Sequence, residues 1–147
     1  MNPMDIALAE ARAAASRGEV PVGAVVTGPS GVVLAQAGNA TEAESDASAH
    51  AELIALRAAA KRLGSSRLLG CDLYVTMEPC PMCAQAASLF RVRQVYFGCY
   101  DVKGGGIEHG PRIFESSSCF HVPEVVGGIR EQEAARLLRS FFAQRRL

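Results

Sequence analysis

The chain has 147 residues, 49 % of them hydrophobic and 20 % charged, and its fifteen basic and fifteen acidic side chains cancel. That length is expected to make one domain, residues 1–147, with a core that needs no disulfides, and the composition excludes a disordered or collagen-like chain. Zero net charge excludes a global basic footprint; the lack of a long apolar run or of a basic-then-apolar leader argues against a membrane span and a signal peptide and makes a cytoplasmic location the expectation.

In chain order, Asn2 then Pro3 reads as a helix start, a capping side chain followed by proline at the first helical position. Met4, Ala7, Leu8, Ala11, Ala14 and Ala15 continue at helical spacing until Gly18 stops the run. Val22–Thr27 reads as a strand, Gly28-Pro29-Ser30-Gly31 as a turn and Val32–Gln36 as the hairpin partner. Gly38 through Ser48 is expected to be loop. Ala49–Leu63, rich in alanine and leucine and ending at Gly64, reads as a second helix. Leu73–Thr76 is a short strand, Pro81–Phe90 a third helix opened by proline, Gln94–Gly98 a strand, and Tyr100–Gly110 a glycine-rich loop. Ile113 and Phe114 anchor a turn. His121–Val126 reads as an edge strand because Pro123 cannot donate to a ladder. Arg130–Arg145 is a terminal helix with Ala134, Leu137, Leu138, Phe141 and Phe142 on its apolar side. The alternation of strands and helices after the hairpin predicts an α/β fold with helices packed on a sheet.

Two stretches carry the chemistry: His50-Ala51-Glu52 and Glu78-Pro79-Cys80-Pro81-Met82-Cys83. Catalytic zinc takes three protein ligands and leaves its fourth position to water. His50, Cys80 and Cys83 meet that count, and Glu52 stays off the metal, free to move protons. Both stretches sit at predicted helix starts. Residues two apart on a helix flank diverge by roughly 200°, so His50 and Glu52 can share a site only off the helix end, toward which side chains tilt. The partial positive charge at a helix N-terminus also favours thiolate over thiol at Cys80 and Cys83. The backbone N–H of Ala51 is a candidate to hold the attacking hydroxide or the ring. A structural zinc site is the alternative, but it needs a fourth protein ligand; only Cys119-Phe120-His121 offers one, and Cys119, like Cys71 and Cys99, reads as a buried small hydrophobe.

This pattern is the H-x-E…P-C-x-x-C signature of zinc-dependent base deaminases. Over nearly its whole length the chain resembles the bacterial tRNA-specific adenosine deaminase family of the cytidine/deoxycytidylate deaminase superfamily. The resemblance rests on Glu19-Val20-Pro21-Val22-Gly23-Ala24-Val25, Gly38-Asn39, Ala49-His50-Ala51-Glu52, Leu73-Tyr74-Val75-Thr76-Met77-Glu78-Pro79-Cys80, Asp101-Val102-Lys103-Gly104-Gly105, and the terminal Leu137-Leu138 with Phe141-Phe142. It implies a cytidine-deaminase-like three-layer α/β/α fold, a five-stranded mixed sheet with helices on both faces. It implies a homodimer, one Zn2+ per subunit and no organic cofactor. It implies a tRNA anticodon loop as partner, with hydrolysis of the wobble adenosine to inosine, in an arginine tRNA, by zinc-activated hydroxide attacking C6 with Glu52 as proton shuttle.

Carried over by position, Asn39 would hydrogen-bond the flipped adenine and Val22 would lie against it. Asp101 would contact the loop backbone or a ribose hydroxyl, and Phe142 would pack beside a splayed base. Each has a plainer reading: Asn39 and Asp101 as turn residues, Val22 as core, Phe142 as a core or dimer contact. The chain departs from the family at Ala40-Thr41-Glu42-Ala43-Glu44-Ser45-Asp46, where the family commonly has arginine after the asparagine. Carboxylates there repel phosphate and shift the expected RNA contact to the terminal helix, with its Arg145 and Arg146. A deaminase of a free base or nucleoside, of guanine or cytosine type, is the nearest rival, and a non-catalytic zinc-containing RNA-binding module is the rival of another class.

Overall fold

A computed structural model describes residues 2–145; Arg146 and Leu147 of the expected basic tail lie outside the described residues. Ten elements follow in order: α1 (Pro3–Ser16), β1 (Gly23–Thr27), β2 (Val33–Gly38), α2 (Ala51–Leu63), β3 (Asp72–Met77), α3 (Pro81–Leu89), β4 (Gln94–Cys99), a 3-10 turn (Ile113–Glu115), β5 (Glu124–Val126) and α4 (Glu131–Gln144). The strands form one sheet in the order β2-β1-β3-β4-β5. β1 runs antiparallel to both β2 and β3, whereas β3, β4 and β5 are mutually parallel, so the sheet is mixed as expected. α1 and α4 touch one another on one face of the sheet; α2, packed on β1 and β2 with α3 beside it, forms the other layer.

The ends of the elements follow from local chemistry. Asn2 Oδ1 accepts the Met4 N–H at 2.9 Å and caps α1 as the sequence predicts. Gly64, in the left-handed region at φ 66, closes α2. α2 begins two residues later than expected, because Ala49 N–H donates to Asp46 O and His50 N–H to Ser48 O, and this turn leaves His50 extended at the N-cap. β2 also runs on to Gly38, which pairs with Gly23. β5 is shorter than expected: it begins after Pro123, and it does lie at the edge of the sheet.

The core is built from β1, β3 and β4 and the helix faces on them: Met4, Leu8, Val25, Val26, Leu56, Leu73, Val75, Val95 and Phe97 are fully buried. Each such side chain contributes about 1.5–3 kcal/mol by leaving water. At Gly23 the backbone of α1 comes so close that a Cβ would stand 1.9 Å from Ala7 O. That contact fixes α1 against the start of β1, next to the cavity residue Val22.

Candidate active site

Val22 before β1, Asn39 after β2, Met77 and Glu78 at the end of β3 and Asp101 after β4 all meet at one end of the sheet. They line a cavity of about 320 Å³ together with Val20, Thr41, His50, Glu52, Cys80, Leu138 and Phe142. The end in question holds the carboxyl ends of parallel β3 and β4, where α/β sheets generally bind ligands. It is also where α2 and α3 begin, with His50 and Cys80 as their N-caps. Two helix N-termini therefore point partial positive charge at one cavity.

His50, Cys80 and Cys83 present ligand atoms that all lie within 4.8 Å of one another. His50 Nδ1 is 3.5 Å from Cys80 Sγ and 3.6 Å from Cys83 Sγ. With zinc–nitrogen and zinc–sulfur bonds of about 2.0 and 2.3 Å, a tetrahedral angle sets nitrogen and sulfur roughly 3.5–3.6 Å apart. The observed separations match that spacing, and one imidazole with two thiolates is a donor set that zinc favours. The sulfurs show the same need for a cation. The Cys83 thiol holds Cys80 down to about 4, and the Cys80 sulfur in turn pushes Cys83 far up. Two thiolates this close are both stable only with positive charge between them.

Glu52 is 4 % exposed and lines the same cavity from the first turn of α2, outside the three-donor set. Burial pushes its carboxyl up to about 7, the range in which a group can both take and give protons near neutrality.

The remaining expected site residues are distributed as follows. Val22 is both core and cavity wall, 6 % exposed. Asn39 is buried; its Oδ1 accepts the Ala51 N–H at 2.8 Å, which leaves its amide NH2 as the group able to donate to a base. The same bond places the Ala51 N–H on Asn39, so Ala51 orients that side chain. Asp101 lines the cavity, while its Oδ1 also accepts from the Lys103 and Gly104 N–H groups at 3.2 and 2.8 Å. Phe142 leaves the buried stripe of α4, stands 44 % exposed at the cavity, and packs edge-on against buried Phe141. Cys119 is buried and stays outside the metal set, its sulfur turned to Ser88 Oγ and His121 O.

Two buried carboxylates at the cavity mouth, Glu19 and Glu78, receive no role of their own from the sequence. Glu19, 2 % exposed, accepts Ala43 N–H at 2.8 Å, Glu42 N–H at 3.2 Å and the Thr41 hydroxyl at 3.4 Å, and so holds the acidic loop at the mouth. Glu78 is 3 % exposed and gathers the glycine-rich loop. Apart from the Thr41 hydroxyl and the His109 ring, their partners are backbone amides 23 to 31 residues away, and no spacing in the chain marks such pairs.

Residues 2–99 match the family described as the cytidine and deoxycytidylate deaminase zinc-binding region. The chain is 49 % identical to a tRNA-specific adenosine deaminase of Agrobacterium fabrum, over 98 % of this chain and 94 % of that one. It is 43 % identical to a tRNA-specific adenosine deaminase of Bacillus subtilis, over 97 % and 88 %. A solved structure from work on A-to-I editing by tRNA:A34 deaminases at the wobble position of transfer RNA superposes with a TM-score of 0.91 at 48 % identity, covering 92 % of this chain and 98 % of that one. The two matched relatives and the matched fold agree with the zinc geometry: the chain belongs to the cytidine and deoxycytidylate deaminase family, in its tRNA-specific adenosine deaminase branch.

Proposed function

We propose that the protein hydrolyses adenosine to inosine at the wobble position of a tRNA anticodon, an arginine tRNA first among substrates. The observation that carries the reading is the buried, unliganded Glu52 beside a zinc-spaced His50–Cys80–Cys83 set, in a cavity whose mouth is open beside Phe142. His50, Cys80 and Cys83 hold zinc. When bound, zinc supplies the Lewis acidity that makes water a nucleophile at neutral pH.

The chain's own residues do the rest. The target base leaves its stack to enter, because C6 cannot be reached within one. The Asn39 amide donates to the ring and Val22 packs on it. Phe142 offers a face to a neighbouring splayed base, and Asp101 meets the backbone or a ribose hydroxyl. Glu52 takes a proton from water, delivers it to N1 and passes the next to the departing amine. C6–O forms as N1 takes the first proton, the C6–N bond then breaks as the amine takes the second, and water and adenosine become inosine and ammonia.

We further propose a homodimer acting in the cytoplasm. The support is an exposed apolar group about α3, Met82, Leu89, Phe120 and Val122, the last two flanking His121, whose carbonyl accepts from Ser88 of α3. Among the described residues no helix is long and apolar enough to cross a membrane.

Incubation with an anticodon stem-loop carrying wobble adenosine, alongside free adenosine and free guanine, tests the substrate. Inosine in the stem-loop alone is expected; product from free guanine alone contradicts the reading.

A further inference from the structure

Glu78 lies between the end of β3 and the metal ligand Cys80, and its side chain is 0 % exposed. Five donors converge on its carboxylate. Oε1 accepts the Asp101 N–H at 3.0 Å and His109 Nδ1 at 2.9 Å. Oε2 accepts the N–H groups of Ile107, Glu108 and His109 at 3.2, 2.9 and 3.1 Å. Four of the five are backbone amides of one segment, residues 101–109, that has no helix or strand of its own. A buried anion therefore stands where such a segment would need an apolar centre.

The segment is also pressed against the metal turn. Gly106 N–H donates to Pro79 O at 2.8 Å. A Cβ on Gly106 would stand 2.6 Å from Pro81 N, and one on Gly105 would stand 2.5 Å from Glu78 Oε2. Asp101 opens this segment and lines the cavity. Its N–H is fixed by Glu78, and its own carboxylate caps Lys103 and Gly104. Anything that loosens Glu78 Oε1 moves the Asp101 side of the mouth.

We infer that Glu78 is a positioning residue for the deaminase reaction, acting through Asp101 to set the wall that the substrate meets. The inference rests on the function proposed above. A carboxylate is required and not merely an acceptor. Glutamine brings one oxygen and one NH2, and the NH2 turns N–H against N–H wherever it faces. On the Oε2 side all three partners are backbone donors. On the Oε1 side His109 can change tautomer and accept, so the glutamine NH2 settles there and only the Asp101 N–H is left without an acceptor.

The test is a double-mutant cycle of Glu78→Gln and Asp101→Ala on the wobble-adenosine stem-loop, with zinc content and amide hydrogen exchange measured on the same zinc-loaded proteins. Glu78→Gln is expected to keep its zinc, to raise KM about tenfold, the size of one lost hydrogen bond, and to speed exchange at the Asp101 amide while residues 107–109 stay protected. Added to Asp101→Ala it raises KM by less than about twofold, because the two act as a unit. An equal rise in both backgrounds, or loss of zinc from Glu78→Gln, overturns the inference. Should Glu78→Gln fail to fold, His109→Phe removes only the ring donor; a KM rise of about threefold is expected, again absent beside Asp101→Ala, and its persistence there is contrary. Exchange needs no substrate. A wild type that forms no inosine defeats the proposed function, whereas unchanged exchange at Asp101 in Glu78→Gln defeats the positioning role by itself.

Discussion

Glu19 and Glu78 shape the mouth of the cavity without belonging to the reacting set, and their chemistry is that of anions that hold backbone. The Ala43 N–H, ahead of a smaller opposing effect of burial, holds the Glu19 carboxyl below its ordinary 4.5. A carboxylate depressed in the folded state stabilises above its unfolded value, and that contribution fades as pH falls through the folded value. Glu19→Gln should therefore be less stable than wild type at pH 7, with the difference shrinking as pH falls below 4.5 in urea melts; a pH-independent difference would assign Glu19 a purely steric part. At this scale the metal ligands were legible because their spacing carries chemistry whatever the fold. The commitment of the Ala51 N–H to Asn39 was not, because nothing local distinguishes an amide that faces a ligand from one that faces a side chain twelve positions back. Helical periodicity places Phe142 on the apolar side of α4 with Phe141, and only the path of α4 past the cavity decides which of the two is covered.

At the scale of elements, the site exists because α2 and α3 both start at the carboxyl end of the sheet, with His50 and Cys80 in extended conformation just outside the first helical turn. The N-caps themselves supply the ligands, and no side-chain capping bond competes for them. The order of elements was readable from proline, glycine and hydrophobic period. Their ends were not, where tertiary hydrogen bonds set them: β2 gains two residues through pairing with β1, and α2 loses two to the Asp46–Ala49 turn.

Gly23 shows how closely these pieces fit. Gly23→Ala places a methyl 1.9 Å from Ala7 O, against backbone that cannot yield cheaply. It should cost about 1–3 kcal/mol or more by overpacking, whereas Gly28→Ala, whose Cβ meets only Val32 and Leu34 side chains at 3.5 Å, should stay within about 0.5 kcal/mol of wild type. Equal denaturant midpoints for the two variants would contradict this packing of α1 on β1.

For the whole molecule, zero net charge conceals a divided rim. Glu42, Glu44 and Asp46 stand exposed on the loop that Glu19 holds. Elsewhere Arg17 Nη2 donates to Asn39 O at 3.3 Å, and the Arg145 guanidinium lies 3.6 Å over the Phe141 ring, one residue from Phe142. Composition is silent on such placements: Arg145 comes within 3.8 Å of a Cβ built on Gly18, just after Arg17, only through the packing of α1 against α4.

Catalysis rests on a carboxylate, Glu52, that works beside the metal and not on it. Zinc content and turnover measured together on Glu52→Gln address that most directly. Glu52→Gln is expected to carry a full complement of zinc, as wild type does, with inosine formation slowed by roughly 10²–10⁴-fold, the range of general acid–base catalysis. Loss of the metal, or turnover that survives the substitution, would contradict it.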